Sequence, residues 1–80
     1  MGKSIHTAQH ERLCALLIAE RKNAGMTQEE LAKRLGKHQS YVSKFETGER
    51  RLDVIEFIEV AKKVGFSAAA MLGKLGASAD

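Results

Sequence analysis

The fold is decided by residues 27–48, which read TQEELAKRLGKHQSYVSKFETG. Thr27 and Glu30 have the spacing of a capping box, in which the two residues satisfy backbone amides at the start of a helix. Nine residues after Thr27, Gly36 supplies a position that tolerates positive φ, as a tight turn requires. The stretch therefore predicts two short helices joined by such a turn.

The small and apolar residues of this stretch fit two helices that cross at a steep angle. Ala32 places a small side chain where the helices touch, and Val42 and Phe45 provide apolar anchors three residues apart on the second helix. Small, turn and apolar positions at these spacings are typical of a helix-turn-helix, which the sequence predicts over residues 28–47. The second helix is predicted over residues 39–47, and its other side chains are mostly polar: Gln39, Ser40, Ser43 and Lys44.

Three further helices are predicted around this motif. One covers about residues 6–23, one follows a cap at Asp53 and stops at Gly65, and a short fifth helix begins at Ser67. Strand-like alternation of polar and apolar residues is absent, so the predicted fold class is all-α, a compact five-helix domain. The fourth helix is predicted to bury one apolar stripe, made of Ile55, Ile58, Ala61 and Val64.

The length of 80 residues predicts a single domain over residues 1–80. Its core is expected over about residues 11–75, and the small polar tail at 76–80 is expected to fray. The one cysteine excludes an intramolecular disulfide, so the domain must gain stability from tight helical packing or from a dimer.

The positive charge of the chain is concentrated in its middle. Residues 33–51 contain six basic and two acidic side chains, whereas acidic residues outnumber basic ones over residues 53–64. A polyanionic partner would meet this central segment. The alternative is an ordinary solvated charged surface.

Several classes of protein are excluded by what the sequence lacks. No apolar run is long enough to span a membrane and the first residues lack the apolar core of a secretory signal, so a cytoplasmic protein is expected. No nucleophile–base set, P-loop or zinc pattern is present, which argues against an enzyme and a cofactor. His6, His10 and Cys14 share one helix face, but a metal site there lacks a fourth ligand.

The helix-turn-helix and its surroundings resemble the Xre/Cro/lambda-repressor-like regulators over about residues 13–72. The resemblance rests on Arg21, the TQEELA block at 27–32, Gly36, the VSKFETG block at 42–48 and Arg50. It implies a five-helix lambda-repressor-like domain that binds double-stranded operator DNA as a two-fold homodimer. One departure is His38, which stands where Ser or Thr commonly caps the recognition helix.

The resemblance also implies a role for individual side chains. The pair Arg21 and Glu46 would hold the recognition helix in place, and Gln28 would donate to a phosphate and brace Gln39. Base edges would be contacted by Gln39, Ser40 and Lys44, and the DNA backbone by Gln28, Tyr41, Ser43, Arg50 and Arg51.

Two functions remain open at this point. The first is a sequence-specific DNA-binding transcriptional regulator, a repressor that reads the major groove with residues 39–47. The alternative is an antitoxin or adaptor whose main partner is a protein, such as a toxin or RNA polymerase. For the homodimer, the predicted interface is the end of the fourth helix together with the fifth helix, which carries Met71, Leu72 and Leu75. In the alternative, Leu72 alone joins the core and Met71 and Leu75 are merely exposed.

Overall fold

Five α-helices account for most of residues 7–76, the part of the chain that the computed structural model describes. The helices are α1 (Ala8–Asn23), α2 (Gln28–Leu35), α3 (Gln39–Thr47), α4 (Val54–Val64) and α5 (Ala68–Gly76). No strand occurs within these residues, so the predicted all-α class is confirmed. None of the described helices is long and apolar enough to cross a membrane. The predicted frayed residues 77–80 lie outside the described part.

Side-chain caps set the starts of α1, α2 and α4. Thr27 and Glu30 form the predicted capping box at α2. Asp53 caps α4 as predicted, and Glu56 completes a second capping box there. The Thr7 hydroxyl accepts a hydrogen bond from the backbone amide of His10 and caps α1. Residue 6, where this helix was expected to begin, lies outside the described residues.

The two helices of the motif, α2 and α3, each end at a glycine in the left-handed backbone conformation. Gly36 has a φ of 69° after α2 and Gly48 has a φ of 90° after α3, a conformation that side chains with a Cβ rarely adopt. The turn at Gly36 brings α3 across α2, with Ala32, Val42 and Phe45 buried between the helices. The helix-turn-helix predicted from this spacing is therefore present.

The packing of the helices leaves one side of α3 uncovered. α3 packs against α1 and α2, α2 also packs against α4, and α5 closes the other end against α1 and α4. All five helices contribute to one core, made of Leu17, Met26, Leu31, Ala32, Val42, Phe45, Phe57, Val60, Met71 and Leu75.

The predicted apolar stripe of α4 is wrong in its first half. Ile55 is 73% exposed and Ile58 is also exposed, whereas Phe57 and Val60 are buried beside Ala61. A repeat of three residues falls short of the helical turn by about 60° at each step, so it drifts around the helix. The buried positions instead follow the spacing i, i+3, i+4, which stays on one face.

The predicted assignment of α5 residues to a dimer interface needs a similar correction. Met71 and Leu75 are buried in the core of the single chain, so their side chains are not available to a partner. Leu72 lies on the other side of the helix and is 50% exposed. The alternative, in which Leu72 alone joins the core, is wrong for the same reason.

Candidate nucleic-acid interface

The outward side of α3 carries the polar residues expected to meet bases. Gln39, Ser40 and Lys44 are exposed, and Ser43 is partly exposed. On the opposite side, Val42 and Phe45 are buried and attach the helix to the core. His38 occupies the N-cap without making a side-chain capping hydrogen bond, so the first turn of α3 depends on tertiary contacts for its stability.

A buried ion pair fastens α3 to α1. The Arg21 Nε lies 2.7 Å from Glu46 Oε2, and Arg21 Nη2 lies 3.1 Å from Glu46 Oε1. Arg21 Nη1 also donates to the carbonyl oxygen of Met26 at 2.8 Å. The two charged residues are only 8% and 5% exposed, so the geometry of the bidentate pair is held in a site with little water.

Two glutamines extend this ion pair to the surface. Gln28 Nε2, at the start of α2, donates to Glu46 Oε1 at 2.9 Å. Gln39 Nε2, at the start of α3, donates to Gln28 Oε1 at 3.0 Å. A continuous hydrogen-bonded chain therefore runs from Arg21 in the core to Gln39 on the exposed side of α3. The sequence suggested its two ends, but the Gln28–Glu46 link was missed because it depends on how α2 crosses α3.

The loop after α3 is held by a second ion pair that sequence reasoning missed. Arg50 Nη1 and Nη2 donate to the two carboxylate oxygens of Glu56 at 3.0 and 2.8 Å. The guanidinium carbon also lies 4.8 Å from the centre of the Tyr41 ring, and Lys37 Nζ approaches the same ring at 5.2 Å. Tyr41 in turn meets Phe45 edge-on, with the ring centres 5.6 Å apart.

This cluster gives Arg50 contacts within the chain, and its contact with the DNA backbone stays a prediction. Its guanidinium was expected to reach the DNA backbone, but within the chain it binds Glu56 and covers Tyr41. We therefore assign Arg50 to holding the loop between α3 and α4 against the start of α4. Arg51 is exposed, and its side chain lines a groove at the start of α1 beside Thr7 and His10.

Neither His10 nor Cys14 belongs to a metal site within residues 7–76. No group of three His, Cys, Asp or Glu side chains in that range has the arrangement to hold an ion, and His6 lies outside it. Cys14 is buried, and its Sγ lies 4.0 Å from His10 Nε2 and 3.4 Å from the carbonyl oxygen of Phe45. Burial raises the pKa of the Cys14 thiol, which disfavours the reactive thiolate.

Comparison with known proteins decides the family. A profile described as helix-turn-helix matches residues 17–71. The chain belongs to this helix-turn-helix family. An "XRE-family like protein from Pseudomonas syringae pv. tomato str. DC3000" has a similar solved structure, with 50% identity and a TM-score of 0.86 over 95% of this chain and 93% of that one. No curated protein matches the sequence.

This XRE-like helix-turn-helix protein is a DNA-binding transcriptional regulator with a five-helix lambda-repressor-like fold. The uncovered side of α3 is where such a motif presents its recognition helix to the major groove.

The Arg50–Glu56 pair of this regulator contributes to its stability near neutral pH, and this contribution is lost in acid. The hydrogen bonds from Arg50, followed by the backbone amide of Asp53, hold the pKa of Glu56 at about 2, below its ordinary value near 4.5. Burial and the nearby Glu56 carboxylate raise the pKa of Tyr41. The phenol of Tyr41 is therefore protonated and uncharged near neutral pH.

We expect Glu56→Gln to lower the melting temperature at pH 7 and to flatten its decline in acid. Because the pKa of Glu56 is lower in the folded state, its stabilisation is present above about pH 4.5 and is lost as the pH falls towards 2. Thermal melts across this range check the result. The control is Glu59→Gln, which removes an exposed acid 3.6 Å from Lys63 and should leave the acid slope unchanged. Parallel curves for Glu56→Gln and the parent would contradict the assignment.

Proposed function

We propose that this regulator binds a specific DNA site as a two-fold homodimer and represses transcription by covering that site. The observation that carries the proposal is the exposed side of α3, where Gln39, Ser40 and Lys44 stand on a helix tied to the core by a buried ion pair. A rigid helix with short polar side chains and a lysine suits direct reading of base edges in the major groove. Binding to chromosomal DNA would place the protein in the cytoplasm.

Contacts to the DNA backbone would then position α3 in the groove. Gln28 retains a second amide N–H beyond its bond to Glu46, and Ser43 and Tyr41 lie on the same helix as the base-facing residues. Lys37 precedes α3 and Arg51 follows it, and both side chains are exposed. Such contacts supply affinity without sequence information, whereas the base-facing side chains supply specificity.

The character of the exposed side of α3 favours DNA over a protein partner for that side. A protein-binding surface would show large apolar or aromatic side chains at its centre. Here the exposed residues are amide, hydroxyl and amine side chains, and the apolar residues of α3 face inward. An antitoxin or adaptor role would have to use another part of the surface.

The proposed dimer uses exposed apolar residues of α4 and α5. Leu72 and Val54 line one groove between the two helices, and Ile55 and Ile58 lie further along α4. An 80-residue domain without a disulfide gains stability by covering such residues with a second copy. No residue of α3 lines the groove of Leu72 and Val54, so a partner seated there would leave the recognition helix exposed. Two recognition helices about 34 Å apart would then read successive major grooves.

The dimer is tested by Val54→Glu combined with Leu72→Glu, two exposed residues of the same groove. We expect the double variant to shift to monomer and to weaken the dimer at least about tenfold, because each buried carboxylate would lose its water without a partner. Sedimentation of the protein alone and with DNA measures this change. Ala19→Glu, an exposed position on α1, is the matched control. A double variant that still sediments as a dimer would remove this interface.

Sequence reading is tested by selecting bound sites from random DNA. We expect Lys44→Ala to relax the preference at one base pair of each half-site by about 1–3 kcal/mol, because a lysine on this face reaches guanine acceptors. The control is Lys33→Ala, an exposed lysine on α2 that lies beside Glu30 and away from α3. If the selected sites were unchanged by Lys44→Ala, the assignment of Lys44 to base contact would be wrong. If the parent selected no site, the proposed function itself would fail.

A further inference from the structure

The ion pair between Arg50 and Glu56 uses only one edge of the guanidinium. Nη1 and Nη2 donate to the two carboxylate oxygens at 3.0 and 2.8 Å, and Nη1 also donates to the Arg51 carbonyl oxygen at 3.2 Å. A guanidinium has five N–H donors in one plane. The other two donors of Arg50, one on Nε and one on Nη2, make no hydrogen bond within residues 7–76. These two N–H groups lie side by side on the second edge.

The second edge of Arg50 has the geometry that binds an oxyanion through two parallel hydrogen bonds. Arg21 uses the same edge, Nε with Nη2, to bind the Glu46 carboxylate at 2.7 and 3.1 Å. The Arg50 side chain is 39% exposed, compared with 9% for Arg21. Within the described residues no buried side-chain nitrogen lacks a hydrogen-bond partner, so the Nε of Arg50 is in contact with solvent. An anion from outside the chain can therefore reach this edge.

Contacts on its other sides hold Arg50 in one orientation. The guanidinium carbon lies 4.8 Å from the centre of the Tyr41 ring. Glu56 is itself fixed in the capping box, because its Oε1 accepts a hydrogen bond from the Asp53 amide at 2.9 Å. A flexible side chain loses affinity for a ligand because it must be ordered on binding. Arg50 is already ordered before a ligand arrives.

Arg50 also stands beside the exposed side of α3. Its guanidinium and the Nζ of Lys37 both lie against the ring of Tyr41, a residue of α3, at 4.8 and 5.2 Å. Tyr41 follows Ser40, one of the exposed polar residues of that helix. DNA with α3 in its major groove would bring backbone phosphates next to these two cations.

We propose that Glu56 is a positioning residue for DNA binding, because it holds one edge of Arg50 so that the Nε–Nη2 edge binds one phosphate of the DNA backbone. The inference rests on the proposed function and adds a phosphate contact that it does not include. By charge alone, a carboxylate near DNA weakens binding. The effect of Glu56 has the opposite sign, since it orders the arginine that holds the phosphate.

The first test measures affinity for a selected DNA site, at a temperature where melting curves show each variant folded. Glu56→Gln keeps the shape of the side chain but leaves one acceptor, so Arg50 is no longer held by two bonds. We expect affinity to fall by about 2- to 12-fold for each protomer, the cost of ordering one flexible side chain. In an Arg50→Ala background, the same change should not weaken binding.

Glu59→Gln is the matched control for this loss. It removes the same charge from α4, but Glu59 pairs with Lys63 and not with Arg50, so this variant should bind at least as tightly as the parent. If Glu56→Gln bound DNA more tightly than the parent, charge alone would govern the effect and the proposal would be overturned. If Glu56→Gln does not fold, Arg50→Lys takes its place. It keeps the positive charge without a paired N–H edge, and equal affinity of Arg50→Lys and the parent would likewise overturn the proposal.

The second test separates a phosphate contact from a purely structural role of the ion pair. Each phosphate of the selected site is replaced in turn by a neutral methylphosphonate. One replacement in each half-site should weaken binding of the parent and of Glu59→Gln, but not of Arg50→Ala. The same replacement should cost less in Glu56→Gln. If the parent and Arg50→Ala responded alike to every replacement, the pair would act only on the loop and the proposal would fail.

Duplex DNA of arbitrary sequence separates this inference from the proposed function. When it is added to the parent, nuclear magnetic resonance should show the Arg50 Nε–H resonance moving. The Nε–H of Arg34, whose Nη1 donates to the Lys63 carbonyl oxygen, serves as the internal reference. A moved Arg50 resonance in a protein that selects no DNA sequence would support the phosphate contact and overturn the proposed function. An unmoved Arg50 resonance in a protein saturated with its selected site would overturn this inference alone.

Discussion

Replacing Glu46 with alanine is expected to lower the free energy of unfolding by about 3–5 kcal/mol. The carboxylate lies 2.7 Å from Arg21 Nε in a site where both residues are buried, and its removal strands the guanidinium away from water. Arg21 would keep only its bond to the Met26 carbonyl oxygen. For a domain of this size, the loss corresponds to a fall of about 12 °C or more in melting temperature.

Thermal and urea unfolding measure this change, with Glu59→Ala as the matched control. Glu59 also pairs with a basic residue, Lys63 at 3.6 Å, but their side chains are 50% and 41% exposed. Exposed pairs contribute about 0–1 kcal/mol, so the control should unfold close to the parent. A Glu46→Ala variant that unfolds like the parent but fails to bind DNA would show that Glu46 acts at the interface and not in the core.

Affinity for a selected DNA site is expected to fall steeply with salt. The chain exposes Lys37, Lys44 and Arg51 on α3 and on the segments that flank it, and Glu49 is the only exposed acid within residues 33–51. The other acid in that range, Glu46, is neutralised in the core by Arg21. A dimer that neutralises about six phosphates should show a log–log salt slope near −5, or a loss of about 10³ in affinity between 50 and 200 mM salt.

Lys37→Ala tests the source of this dependence. In a dimer it removes two cations, so the slope should become shallower by about 2. Lys62→Ala changes the charge equally, but Lys62 lies on α4, which is not part of the proposed DNA interface, and it should leave the slope unchanged. Equal slopes for the two variants would mean that general charge, and not the surface around α3, governs binding. A flat response of the parent would contradict an electrostatic interface altogether.

Contacts between neighbours in the chain explain why the helix-turn-helix was predictable. The Thr27–Glu30 and Asp53–Glu56 capping boxes join residues three positions apart, and Gly36 acts on its own backbone. The formation of these caps and of this turn depends little on the rest of the molecule. The apolar anchors Val42 and Phe45 were equally readable because α3 is short and otherwise polar.

The burial of individual apolar residues on α4 and α5, and the partner of Arg50, could not be predicted in this way. α4 carries apolar side chains on more than one face, and the burial of Phe57 rather than Ile55 depends on which face meets the neighbouring helices. The same choice on α5 buries Met71 and exposes Leu72. From the sequence, the Arg50 guanidinium could bind a DNA phosphate or a carboxylate of the chain. The folded loop places Arg50 Nη1 3.0 Å from Glu56 Oε1.

Residue spacing was enough to predict most helix ends, the turn at Gly36 and the helix-turn-helix over residues 28–47. These features follow from local hydrogen bonds, backbone conformation and spacing. The packing of the helices settles which apolar faces are covered, and it brings Gln28 to Glu46 so that one chain of hydrogen bonds reaches Gln39. Such contacts join residues on different helices, so they exist only after packing has set the distances and orientations between those helices.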